Sequence, residues 1–117
     1  MRKVRVYSPV QLLDMALENI RFSTAKAARN RIEKAISLTS TGYGDAFYEV
    51  SVGYELEDVD SADLVEAAIH LLETSYRYQG FDNQRYARYV RRAGVYLRRA
   101  VAILDERMRR EAGQDAA

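Results

Sequence analysis

Cysteine and tryptophan are absent from this 117-residue chain, and proline and histidine occur once each. Without cysteine there is no disulfide framework, no thiolate zinc site and no thiolate nucleophile. A single histidine, His70, leaves little vocabulary for proton transfer near neutral pH. No stretch approaches the roughly 18 consecutive apolar residues of a membrane span. The opening Met-Arg-Lys-Val-Arg-Val has no apolar core of a secretory signal, so a cytoplasmic protein with no membrane partner is expected. Glycine patterns that cradle phosphates or dinucleotides, and the G-x-S-x-G of serine hydrolases, are missing as well. No enzyme, catalytic residue or cofactor is therefore expected.

What is present is one domain's worth of chain, 48% hydrophobic and 30% charged. The net charge of +1 conceals three blocks. Residues 1–44 carry eight Lys/Arg against Asp14, Glu18 and Glu33, a net of +5. Residues 45–76 carry nine acids and no Lys or Arg, a net of −9. Residues 77–110 carry ten arginines against Asp82, Asp105 and Glu106, a net of +7. Such blocks either meet each other, within one chain or between copies, or face partners of opposite sign. The cations are fifteen arginines and three lysines. Arginine's planar fork suits carboxylate, phosphate and aromatic faces, although a GC-rich genome also favours arginine codons.

Periodicity gives a mainly α reading, with α+β as the alternative. Ser8-Pro9-Val10-Gln11 combines a serine cap, proline at the first helical position and a capping-box glutamine. From there a long N-terminal helix is expected over 9–38. Its apolar stripe changes phase near Arg29-Asn30-Arg31, which predicts a bend or break between Ser23 and Arg31. Residues 39–45 (Thr-Ser-Thr-Gly-Tyr-Gly-Asp) form a loop by composition. Lys3–Tyr7 and Phe47–Leu56 alternate, as strands of a short two-stranded ribbon would; a helix over 47–56 is the alternative, opposed by Gly53 and the β-branched residues.

An antiparallel helical hairpin is expected over 61–78 and 83–110, with Gly80 as a left-handed stop, Phe81 as the apolar contact behind it and Asp82 as the next cap. The first of these helices places Leu64, Val65, Ala68, Ile69, Leu71, Leu72, Ser75 and Tyr76 on one side. Asp63, Glu66, His70, Glu73 and Arg77 fall on the other. The domain is expected to occupy 1–110, with 111–117 a flexible tail.

The second helix of the hairpin carries three parallel tracks. Tyr86, Val90, Ala93, Leu97, Ala100 or Val101, Leu104 and Met108 form a packing seam. Tyr89, Tyr96 and Ile103 run beside it at intervals of seven, and Arg85, Arg92 and Arg99 run beside those. Val95 and Ala102 make the outer face partly apolar, which suggests a homo-oligomer. Arg85, Arg88, Arg92 and Arg99 with Tyr89 and Tyr96 form the candidate binding surface, since arginines meet phosphates and tyrosines stack on bases. The competing explanation is that the tyrosines are packing residues and the arginines pair with the acidic block. No zinc finger, RNP run, GXXG loop or basic zipper is present.

Asp63, Glu66, His70 and Glu73 share a helical face and have metal-ligand chemistry. The Glu-x-x-His of bundle metal centres is nevertheless absent, because Ala67 stands three residues before His70. A solvated polar face is expected there, not a metal site. The function expected from these features is that of an oligomeric adaptor acting through segregated acidic and Arg/Tyr-rich faces. The alternative is an accessory protein that binds nucleic acid or a nucleotide on the Arg/Tyr stripe.

Overall fold

The computed structural model describes residues 6–39 and 60–116. Four helices run in the order α1 (Pro9–Phe22), α2 (Ala25–Thr39), α3 (Ser61–Tyr76) and α4 (Asn83–Ala116). Among the described residues there is no strand. Val6 and Tyr7 are outside any regular element, and the remainder of the expected ribbon (residues 3–5 and 47–56) lies outside the described residues.

Each boundary has a local cause. At the start of α1 the Ser8 hydroxyl accepts from the Gln11 amide at 3.2 Å, and the Ser8 amide donates to Gln11 Oε1 at 2.9 Å, which closes the capping box. The long N-terminal helix expected over 9–38 is in fact two helices. Ser23 leaves the helical region (φ −140°, ψ −138°), and its amide donates to the Asn19 carbonyl. The Thr24 hydroxyl then accepts from the Ala27 amide at 3.2 Å, so Thr24 starts α2 as a side-chain cap. No glycine or proline marks this break; a Ser-Thr pair makes it by competing for backbone hydrogen bonds. The two helices fold back on each other, and Arg31 donates to the Asn19 side chain across the turn.

At the other hairpin, Asp60 caps α3 by accepting from the Ala62 amide. The helix ends at Tyr76, two residues before the expected 78. Gly80 has φ +91°, the left-handed stop. Asp82 then caps α4 by accepting from the Arg85 amide at 3.1 Å. The helix continues past 110 to Ala116, so residues 111–116 of the expected tail are helical. At about 1.5 Å per residue its 34 residues span about 50 Å, roughly twice the length of any other helix.

α4 is therefore the spine. α3 packs along it most heavily, α2 packs on it more lightly, and α1 rests on α2 and α3. The core is one cluster drawn from all four helices, in which Leu13, Ile32, Leu64, Leu72, Leu97 and Leu104 are almost or wholly removed from solvent. Ala16, Ala28, Ala35, Ala68, Ala93 and Ala100 are equally buried and let the helices approach closely. Ion pairs edge this core, half-buried between α2 and α4 and exposed between α1 and α3. Arg29 Nε lies 3.0 Å from Asp105 Oδ1, joining α2 to α4, and Arg21 pairs with Glu66, joining α1 to α3.

The expected faces of α3 are realised: Leu64, Val65, Ala68, Ile69, Leu72 and Ser75 are buried, while Asp63, Glu66, His70, Glu73 and Arg77 are exposed. Tyr76, expected on the apolar side, is exposed at the end of the helix. Ser75 is buried because its hydroxyl donates to the Leu72 carbonyl at 2.6 Å, leaving no polar atom unmet. Val95, expected on the outer face of α4, is buried in the chain's own core cluster, while Ala102 stays exposed.

Candidate functional site

The six candidate residues Arg85, Arg88, Tyr89, Arg92, Tyr96 and Arg99 fall within about 100° of the α4 circumference, at 100° per residue. The buried seam formed by Val90, Ala93, Leu97, Ala100 and Leu104 lies to one side of this stripe. Tyr89 and Tyr96 border the seam and are half-buried, while Arg85, Arg88 and Arg92 stand outward and are exposed. Arg99, further along, is half-buried.

Four of the six line an open cleft of about 440 Å³: Arg85, Arg88, Tyr89 and Arg92. Three guanidinium groups surround one phenol ring in this cleft. Arg92 is aligned by Tyr96: its Nε donates to the phenol oxygen at 3.2 Å, and its guanidinium carbon lies 5.9 Å from the ring centre. Arg85 is held in the first turn by Asp82 at 3.6 Å. Arg88 and Arg99 form no ion pair among the described residues.

The hairpin turn adds aromatic residues that the stripe alone does not contain. Tyr78 is parallel to Tyr89, with ring centres 5.8 Å apart and planes 10° apart. Phe81 lies 5.8 Å from Tyr78 at an angle of 36°. The Arg85 guanidinium carbon sits 5.3 Å from the Tyr78 ring centre. Phe81 is 75% exposed, which for a large apolar ring leaves one end of this ladder open to solvent. Sequence periodicity did not select Tyr78 or Phe81, because neither is on the α4 repeat. The signal available was two aromatics flanking Gly80, which a tight reversal returns to the first turns of the next helix.

The acidic face of α3 does not neutralise the stripe. Glu66 pairs with Arg21 of α1, and Asp63 and Glu73 form no ion pair among the described residues. No protein family matches the chain, and neither a curated protein nor a solved structure matches it significantly. Among the described residues, no three His, Asp or Glu side chains are grouped to hold a metal ion, so Asp63, Glu66, His70 and Glu73 do not form a ligand set. No described helix is long and apolar enough to cross a membrane.

Two ionisable groups are perturbed around this frame. Partial desolvation of the Tyr76 phenol, which is still exposed in part, pushes it above its ordinary value, with Tyr86 and Glu73 adding to the effect. Towards the far end of α4, hydrogen bonding and charge from Arg109, followed by Arg110, hold the Glu106 carboxyl below its ordinary value. That pair of arginines is thus engaged locally, one turn from its carboxylate.

Proposed function

We propose that this protein is a non-enzymatic binding protein that takes an anionic partner on the Arg/Tyr stripe of α4. The observation that carries this reading is the cleft lined by Arg85, Arg88, Tyr89 and Arg92. Arginines arranged around a recess, with Arg88 unengaged by any described carboxylate, match the planar, bidentate chemistry of phosphate and carboxylate ligands. Further support comes from the engagement of Glu66 with Arg21, which turns one acid of α3 towards α1 and away from this surface. The reading places the protein in the cytoplasm, where phosphate-rich polymers and nucleotides are abundant.

Titration of the protein with fluorescein-labelled polyphosphate, followed by anisotropy at several salt concentrations, tests the proposal. Binding should weaken as salt rises, and the double variant Arg88→Gln/Arg99→Gln should reduce both affinity and salt slope. Affinity unchanged by that double substitution refutes the assignment of this surface.

A second reading is favoured by one observation, the exposure of Asp63 and Glu73 without a described ion partner. In that reading the acidic face of α3 in one copy meets the α4 stripe of another, and the protein is a self-assembling adaptor. Light scattering at tens of micromolar protein in moderate salt separates the two: a monomer there excludes self-assembly.

A further inference from the structure

The aromatic ladder at the hairpin turn narrows the chemistry of the partner, and the inference drawn from it rests on the anion-binding reading above. We propose that Phe81, Tyr78 and Tyr89, with Arg88 and Arg92, form a binding site for single-stranded nucleic acid. A base stacks at the open, Phe81 end of the ladder, and the phosphates that follow it run along α4.

Three observations converge on this partner. The first is exposure: Phe81 leaves three-quarters of its surface in solvent while its ring lies against Tyr78, which in turn stacks on Tyr89 of the arginine-lined cleft. Tyr86 and Tyr96 are half-buried against the core, whereas Phe81, like Phe22 at the end of α1, is exposed; of these two exposed phenylalanines, Phe81 is the one that lies against Tyr78 of the ladder. The second is orientation. Tyr78 and Tyr89 lie parallel within 10°, and Arg85 lies against Tyr78, so the ladder offers flat faces held in place by one another and by a cation. A flat π-face recognises a base of any identity, whereas an acidic peptide gains nothing from it.

The third is spacing. From Phe81 the stripe continues through Arg85, Arg88 and Arg92 to Arg99, a rise of about 21 Å between Arg85 and Arg99 at 1.5 Å per residue. That length matches a short strand on the order of four nucleotides, the small end of single-stranded binding sites. A duplex keeps its bases stacked on one another and hidden from Phe81, so it would meet only the arginines. Recognition at this site is therefore independent of base sequence and selective for unpaired strands.

The test uses the full chain and three labelled probes of equal length: an oligothymidylate octamer, an abasic octamer with the same phosphates, and an octamer duplex. A polyglutamate peptide serves as competitor. The oligothymidylate should bind at least fivefold more tightly than either the abasic strand or the duplex, the lower bound of one lost stacking contact. Phe81→Leu keeps the residue apolar and removes the ring; it should weaken oligothymidylate binding at least fivefold and leave abasic binding unchanged. Arg88→Gln should weaken both strands alike. Equal binding of the oligothymidylate and abasic strands, or indifference to Phe81→Leu, overturns the nucleic-acid inference while leaving the anion surface standing. Polyglutamate displacing the oligothymidylate at equal charge concentration also overturns it, in favour of an acidic protein partner. If none of the probes binds in a manner sensitive to Arg88, the underlying reading fails with it. A thermal melt of Phe81→Leu verifies the fold; Tyr89→Leu supplies a second reading of stacking from inside the cleft.

Discussion

Replacing Leu97 with alanine and Arg88 with glutamine should separate what holds the molecule together from what it binds with. Leu97 is wholly buried, and its neighbours along the seam, Ala93 and Ala100, are wholly buried too. Those alanines belong to the same helix and have no side-chain length with which to refill a cavity. The cost should therefore lie well within the large-to-small range, at about 3–4 kcal/mol. Unfolding entropy scales at about 2.1 cal/mol/K per residue, so each kcal/mol lost from a chain of this length lowers Tm by about 4 °C. Leu97→Ala should thus melt about 12–16 °C below the parent protein. Arg88 is exposed and without a described ion partner, so Arg88→Gln should stay within about 0.5 kcal/mol, or about 2 °C. Far-UV circular dichroism melts supply the stabilities, and anisotropy with polyphosphate well below both midpoints supplies the affinities. The outcomes should cross: Leu97→Ala unstable but binding normally, Arg88→Gln stable but binding weakly. If Arg88→Gln loses as much Tm as Leu97→Ala, Arg88 is a structural residue and not a binding one. If Leu97→Ala loses less than about 4 °C, the seam is not packed as described.

Further expectations concern the frame. Gly80→Ala should cost about 1–2 kcal/mol, because its φ of +91° opposes a side chain even though no atom crowds the added carbon. Gly113→Ala, in the exposed final turns of α4 with open space around it, should instead stabilise by up to about 0.5 kcal/mol in chemical denaturation. A double-mutant cycle on Arg29 and Asp105 should give a coupling of roughly 0.3–1 kcal/mol that shrinks with salt, since the pair is only half-buried. A coupling of zero would show that α2 docks on α4 by apolar packing alone. The raised pKa of Tyr76 means that its folded form resists ionisation. Its contribution is complete below the unfolded phenol pKa and is lost as pH rises through the folded value. Replacement by phenylalanine should therefore flatten the alkaline fall in Tm, and an unchanged alkaline profile would assign that fall to other groups.

The second hairpin was legible in the sequence because every signal for it is local. Gly80, Asp82 and the alternating steps from Leu64 to Ser75 state a stop, a start and a buried face within a few residues of one another. The break between α1 and α2 was legible only as a phase change in the apolar stripe. The residues that make it, Ser23 and Thr24, also occur inside helices, and their capping role shows only when Thr24 accepts from Ala27. The burial of Val95 and the exposure of Tyr76 depend on which elements reach each point of a helix surface, and periodicity is silent on that. At the site, the α4 repeat identified Arg85, Arg88, Tyr89, Arg92, Tyr96 and Arg99 as one stripe. The partnership of Tyr78 with Tyr89 was out of reach, because it depends on the angle at which the turn returns the chain.

The pairing of helices also bears on how the molecule assembles in time. α1 meets α2 across a two-residue turn, and α3 meets α4 across the short segment from Arg77 to Asp82, so both tight pairings form between neighbours in sequence. Local pairings of this kind close quickly, and the slower event is the docking of one hairpin on the other through α2 against α4 and α1 against α3. Phe81, Tyr78, Tyr89 and the cleft arginines all belong to the second hairpin. The proposed binding surface is therefore in place once that hairpin closes, and on a ribosome the first hairpin emerges before it.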